Sequence, residues 1–165
     1  MKKILLVDDE TAICASLSFA LESDYEIHTA GNAADALSLF AREEYDIVLL
    51  DLRLGTDDGL AVLRSIKQAD PDAAVIIMTA YGSIQSSVAA MKQGAFYYIT
   101  KPINMDELKL ILSNACEYLS LRQRVWYFNN KLADEYALTG MIGRSEAMKA
   151  VFSLIEKVAN TGTNV

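Results

Sequence analysis

No run of apolar residues in this sequence approaches the 18 or so that a membrane-spanning helix needs. The opening Met1-Lys2-Lys3 leads into a strand-like segment rather than the core of a signal peptide, so the chain is expected to be cytoplasmic. A basic surplus is also missing: 15 Lys and Arg stand against 22 Asp and Glu, a net charge of -7. Such a chain repels phosphate backbones and anionic lipid, which argues against nucleic acid or a membrane surface as a partner held by a basic patch. Cysteine is scarce. Cys14 and Cys116 fall in helix-like segments with neither CxxC spacing nor a histidine cluster, and they read as small buried hydrophobes. The lone His28 has no companion in sequence and reads as a surface residue rather than a phosphodonor. No GxxxxGK followed by Ser or Thr occurs, so ATP hydrolysis by these residues is not expected.

What is present suits one compact domain plus an appendage: 165 residues, 52% of them hydrophobic. Residues 1–104 hold 15 acidic and 8 basic residues and the remainder 7 of each, so the excess acidity belongs entirely to the first part. Five β-rich runs alternate there with helix-like stretches. The runs are Lys3 to Asp8, Tyr25 to Ala30, Asp46 to Asp51, Ala74 to Thr79 and Phe96 to Thr100; the helices lie near 11–22, 33–43, 59–69 and 84–93, the last ended by Gly94. Continuously apolar runs such as IVLL and VIIM predict strands covered on both faces. The alternation predicts a doubly wound α/β domain, with its ligand site at the carboxyl ends of the strands.

After Pro102, Asn104 can cap a helix with Glu107 at its third position. Neither Gly nor Pro interrupts from there to about Tyr136. Leu108, Ile111, Leu112, Ala115 and Leu119 suit packing back on the domain, whereas Tyr118, Leu121, Val125, Phe128 and Leu132 recur at spacings of 3 and 4 as a heptad seam that calls for a partner. Either a surface-lying helix or a homodimeric coiled coil satisfies it; the coiled coil is the expectation. Thr139-Gly140 breaks the helix, and another starts near Ser145 and ends near Asn160.

The polar residues at the strand ends carry the chemistry. Asp8-Asp9 end strand one, Asp51 strand three and Thr79 strand four, and Lys101-Pro102 follow strand five, all on one edge of the sheet. Three converging carboxylates repel one another unless a cation neutralises them. A small hard divalent ion with oxygen ligands at about 2.1 Å is the expected answer.

The segments VDDE at 7–10, LLDLRL at 49–54, DG at 58–59, MTAYG at 78–82 and GAFYYITKP at 94–102 resemble the receiver domains of two-component response regulators over residues 1–120. The resemblance implies a flavodoxin-like five-stranded parallel sheet of order 2-1-3-4-5. It implies Asp51 as phosphoacceptor from a phosphohistidine on a sensor histidine kinase. Asp9 and Asp51 would hold Mg2+ directly, Asp8 mainly through water, with the Arg53 backbone carbonyl completing the set. Thr79 would hydrogen-bond a phosphoryl oxygen and Lys101 would pair with it. Lys101-Pro102 is a candidate cis peptide that aims the lysine inward. Tyr98 takes the position of a switch aromatic: Thr79 moving toward the phosphoryl group would leave room for Tyr98 to turn inward, remodelling the face of helix four, strand five and helix five. Gly55 stands where the family commonly has Pro, Tyr97 replaces a usual acid, and Arg53 and Tyr81 can shield the acyl phosphate.

The segment MIGRSEAMKAVFSLIEKVA at 141–159 resembles the opening of the AAA+ ATPase domain of NtrC-type, sigma-54-dependent transcription activators. The implied organisation is a receiver at 1–120, a helical linker at 121–138 and a truncated ATPase start at 139–165, in a regulatory piece of a longer activator. Its implied partners are a sensor kinase, a second copy through the linker helix and receiver face, and, in the longer protein, an AAA+ ring, sigma-54 RNA polymerase and DNA. Other classes fit less well. An aspartyl phosphatase wants a second acid where Arg53 stands, and a flavodoxin-like cofactor binder wants a hydroxyl- and glycine-rich loop after strand one. A pseudo-receiver acting only as a binding module conflicts with the complete set of acids, Thr and Lys.

Overall fold

The computed structural model describes residues 1–80 and 84–136, with side chains over 1–80 and 86–128, and a few residues between 145 and 155. Tyr81, the Leu132 side chain, the break at Thr139-Gly140 and most of 141–159 lie outside the described residues. The chain divides into two compact units, Met1–Leu119 and Ser120–Val165.

In the first unit, β1 (Lys2–Val7), α1 (Thr11–Leu21), β2 (Tyr25–Ala30), α2 (Ala33–Arg42) and β3 (Ile47–Asp51) lead to a hairpin of two-residue strands, β4 (Arg53–Leu54) and β5 (Asp57–Asp58). Then come α3 (Gly59–Ala69), β6 (Ala74–Thr79), α4 (Ile84–Lys92), β7 (Tyr97–Thr100) and the start of α5 (Met105–Tyr136). The five long strands form one parallel sheet of order β2-β1-β3-β6-β7, the expected doubly wound α/β topology. Every residue of β3 and β6 is buried, as their unbroken apolar runs require of strands sandwiched between helices. Leu5, Val7, Val48, Leu50, Val75 and Ile77 pack on the α2–α3 side, and Ile4, Leu6, Ile47, Leu49, Ile76 and Met78 on the α1–α5 side. This two-sided core fixes the register, so every interior strand ends at the same edge.

Local chemistry sets the helix ends. Gly94, at φ +89°, follows α4 in a conformation costly to other residues. Asn104 Oδ1 accepts from the backbone N–H of Asp106 and Glu107 at 2.9 and 3.2 Å, starting α5 as a capping residue should. Leu108, Ile111, Leu112 and Ala115 are buried and Leu119 packs beside them.

Three details depart from sequence expectation. The stretch after Asp51, assigned no element from the sequence, forms a hairpin: β4 and β5 pair antiparallel, and buried Leu54 pins it to the core. Gly55 turns it at φ +60°, which proline, locked near -65°, cannot adopt. His28 is half-buried within β2, its Nδ1 2.7 Å from Tyr45 Oη and its ring nitrogens 3.5 and 3.6 Å from Glu26 and Glu43. The Tyr45 ring, brought down beside this edge strand, shelters it edge-on at a centroid distance of 5.5 Å. Cys14 and Cys116 are free and only partly buried against the α1–α5 side of the core; Cys14 Sγ donates to the Asp8 carbonyl at 3.4 Å.

In the second unit α5 continues to Tyr136, with Leu121, Val125, Trp126, Tyr127 and Phe128 all more than half exposed. Ser145 Oγ accepts from the Met148 N–H at 3.2 Å, and residues 147–148, 150–151 and 154–155 are helical. No described helix is long and apolar enough to cross a membrane.

Candidate functional site

Parallel strands put their carboxyl ends side by side, and here those ends carry the charged residues. Asp51 is the last residue of β3, Asp8 and Asp9 follow β1, Thr79 ends β6, and Lys101 follows β7. Carboxylate oxygens of Asp8, Asp9 and Asp51 lie within 4.8 Å of one another. Asp8 and Asp51 are buried; Asp9 is exposed. Lys101 Nζ donates to Asp51 Oδ2 at 2.5 Å and stands 2.8 Å from Asp8 Oδ2, with its side chain only 8% exposed. The Lys101-Pro102 peptide is cis, and the Lys101 N–H donates to the Thr79 carbonyl at 2.8 Å, tying the lysine's backbone to the end of β6. Thr79 is buried beside this group.

Two Asx turns orient the acids. Asp8 Oδ1 accepts from the Glu10 N–H at 2.9 Å, and Asp51 Oδ1 from the Arg53 N–H at 2.9 Å. Each aspartate thus has one oxygen held by backbone and the other turned to the site. Burial raises the Asp8 carboxyl above the ordinary aspartate value, against the opposing pull of Lys101. Burial also acts to lower the Lys101 ammonium, but its hydrogen bonds to Asp51 and Asp8 outweigh that and leave it above the ordinary lysine value.

Tyr98 is half-buried in β7, opposite Ile77. It packs on the α2–α3 side of the sheet, the side Ile77 faces and the one Thr79 shares by strand alternation. Tyr97 is exposed. Two residues given no role from sequence join the site. Glu10 Oε1 reaches Lys101 Nζ at 3.2 Å. Gly59, first residue of α3, donates its N–H to the Leu52 carbonyl at 3.0 Å, and a Cβ there would lie 2.3 Å from the Asp51 carbonyl oxygen. The DG pair at 58–59 was the sequence signal for Gly59; Asp58 caps the same helix through Leu60 N–H at 3.0 Å.

The site fits a hard divalent cation. Its donors are all carboxylate oxygens, and the three clustered acids carry more negative charge than the one Lys101 ammonium beside Asp8 and Asp51 can balance. Mg2+ at about 100 times its Kd is therefore expected to raise the unfolding free energy by about 2.7 kcal/mol. Thermal or urea unfolding with and without Mg2+ reads this directly, and Asp9→Asn, at an exposed position, should remove most of the gain.

A five-stranded sheet of this order with an acid cluster and a lysine at its carboxyl edge defines a receiver-type α/β domain. The chain belongs to the response regulator receiver domain family, whose model matches residues 4–113. Among its relatives, the alginate biosynthesis transcriptional regulatory protein AlgB of Pseudomonas aeruginosa is 37% identical over 99% of this chain and 36% of that protein. The regulatory protein AtoC of Escherichia coli is 34% identical over 100% of this chain and 36% of that protein. The chain thus spans about a third of the length of the curated relatives it matches. Among solved structures, a receiver domain from Clostridium thermocellum aligns at TM-score 0.70 and 35% identity, covering 73% of this chain and 98% of that one. NtrX from Brucella abortus in complex with ADP aligns at 0.73 and 32%, covering 98% of this chain and 35% of that one.

Proposed function

We propose that Asp51 accepts a phosphoryl group from a phosphohistidine on a sensor histidine kinase, in the cytoplasm. An Asp51 carboxylate oxygen attacks phosphorus; the P–N bond breaks and its electron pair stays on the imidazole, leaving an acyl phosphate. A carboxylate is a weak nucleophile, so the rate must come from positioning and from neutralising phosphoryl charge. Lys101 supplies one positive charge from a fixed position, and Thr79 offers a hydroxyl. Asp9 and Asp51 would hold Mg2+ directly, with Asp8 acting through water and the Arg53 carbonyl completing the set; the ion, when bound, supplies the remaining charge neutralisation. The observation that carries this reading is the contact of one buried ammonium with both Asp51 and Asp8. Incubation with acetyl phosphate and Mg2+ tests it: gain of one phosphoryl group is expected. No gain returns the chain to a binding-only pseudo-receiver.

The consequence of phosphorylation is a switch. Thr79 moves toward the phosphoryl group, Tyr98 turns into the space it leaves, and the face of α4, β7 and α5 is remodelled. Residues 1–120 then act as the receiver, 121–138 as a linker that pairs with a second copy, and 139–165 as the start of an AAA+ domain. In the longer protein this pairing would control assembly of a sigma-54-activating ATPase ring acting on sigma-54 RNA polymerase and DNA. Tyr118, Leu121, Val125 and Phe128, from 41% to 61% exposed, support the seam. Val125→Glu is expected to weaken the dimer about 30-fold or more, because it places a charge in an apolar contact. Sedimentation velocity reads this as a shift to monomer; an unchanged dimer places the interface elsewhere.

A further inference from the structure

Glu10 contacts Lys101 but has no part in the transfer just described. Its N–H donates to Asp8 Oδ1, so the turn that aims the acid pair also aims Glu10. Asp8 and Asp51, 0% and 7% exposed at the side chain, meet the ammonium from inside; Glu10, 59% exposed, meets it at 3.2 Å from the solvent side. That is the side from which a phosphodonor must come. Glu10 also stands outside the cation set formed by Asp8, Asp9 and Asp51. An ammonium has three N–H donors. A cation that engages the aspartates would leave Glu10 free to hold Lys101 and to compete with arriving phosphoryl oxygens.

We propose that Glu10 is a positioning and donor-selecting residue: it draws the Lys101 ammonium toward the mouth of the site and places a negative charge there, slowing reaction with anionic donors while strengthening divalent binding. This rests on Asp51 being the phosphoacceptor. With Glu10 exposed to solvent, its pair with Lys101 should be worth a modest, salt-sensitive factor.

The test compares Glu10→Gln with wild type at saturating Mg2+, using dianionic acetyl phosphate and the less charged phosphoramidate, at low and at high salt. Calorimetric titration of each protein with Mg2+ alone gives a second readout. Glu10→Gln should react about 2- to 5-fold faster with acetyl phosphate, gain less with phosphoramidate, and lose the advantage at about 1 M salt. Its Mg2+ Kd should rise by a similar factor of about 2 to 5. Equal or slower reaction, or an equal gain with both donors, overturns the inference while leaving Asp51 as acceptor. A wild type that takes phosphate from neither donor overturns the phosphoacceptor reading, and this inference with it.

Discussion

Gly59→Ala is expected to lower the unfolding free energy by about 2–4 kcal/mol. A methyl at this position would sit 2.3 Å from the Asp51 carbonyl oxygen and 2.6 Å from the Leu52 Cα, and both obstacles are backbone. No rotamer change relieves that overlap; either α3 shifts away from β3, or the Asp51–Leu52 peptide moves. Gly59 also donates its N–H to the Leu52 carbonyl, so a shift breaks a hydrogen bond that ties the start of α3 to the end of β3. Gly31→Ala is the control: a Cβ there meets nothing within 4 Å, and its cost should stay within about 0.5 kcal/mol. Urea unfolding of both variants decides it. A Gly59→Ala midpoint close to the control would show that the chain slides here without strain. Because the obstructed atom belongs to Asp51, the variant should also slow phosphoryl uptake more than its lost stability explains.

Asp51→Asn should abolish phosphoryl uptake from acetyl phosphate and Mg2+, with no gain of mass where wild type gains one phosphoryl group. The amide keeps the shape of the side chain but has no anionic oxygen to attack phosphorus. It also removes the charge from the shortest contact of the Lys101 ammonium, at 2.5 Å, leaving Asp8 and Glu10 as its anionic partners. The fold should survive, since the β3 core residues are untouched, and circular dichroism verifies that. Lys101→Ala should instead leave slow uptake, reduced about 10²- to 10³-fold, as when one charge-stabilising donor is lost. A clear difference between total loss at position 51 and partial loss at position 101 separates nucleophile from stabiliser.

The sheet was legible in the sequence because its interior strands are short unbroken apolar runs, a pattern only two-sided burial explains. The grouping of Asp8, Asp9, Asp51, Thr79 and Lys101 followed from that topology alone: residues ending parallel strands share an edge. Asn104 and the uninterrupted stretch after it made α5 readable to its described end at Tyr136. The β4–β5 hairpin was not readable, since two-residue strands carry no periodicity and Gly55 reveals its positive φ only in place. Glu10 was hidden for another reason. Its partner Lys101 is 91 positions away, and nothing in VDDE says that the fourth residue turns back toward the site. The shelter of His28 likewise depends on Tyr45, a residue outside β2 that the fold alone brings beside it.

The central claim is that Asp51 carries an acyl phosphate. Acyl phosphates are reduced by borohydride to the alcohol, which converts a phosphorylated aspartate into homoserine. The most direct measurement is therefore peptide mapping of the full chain after acetyl phosphate, Mg2+ and borohydride. Homoserine at position 51, dependent on both donor and Mg2+ and missing in Asp51→Asn, is the predicted result. Homoserine at Asp8 or Asp9, or at no aspartate, would contradict it.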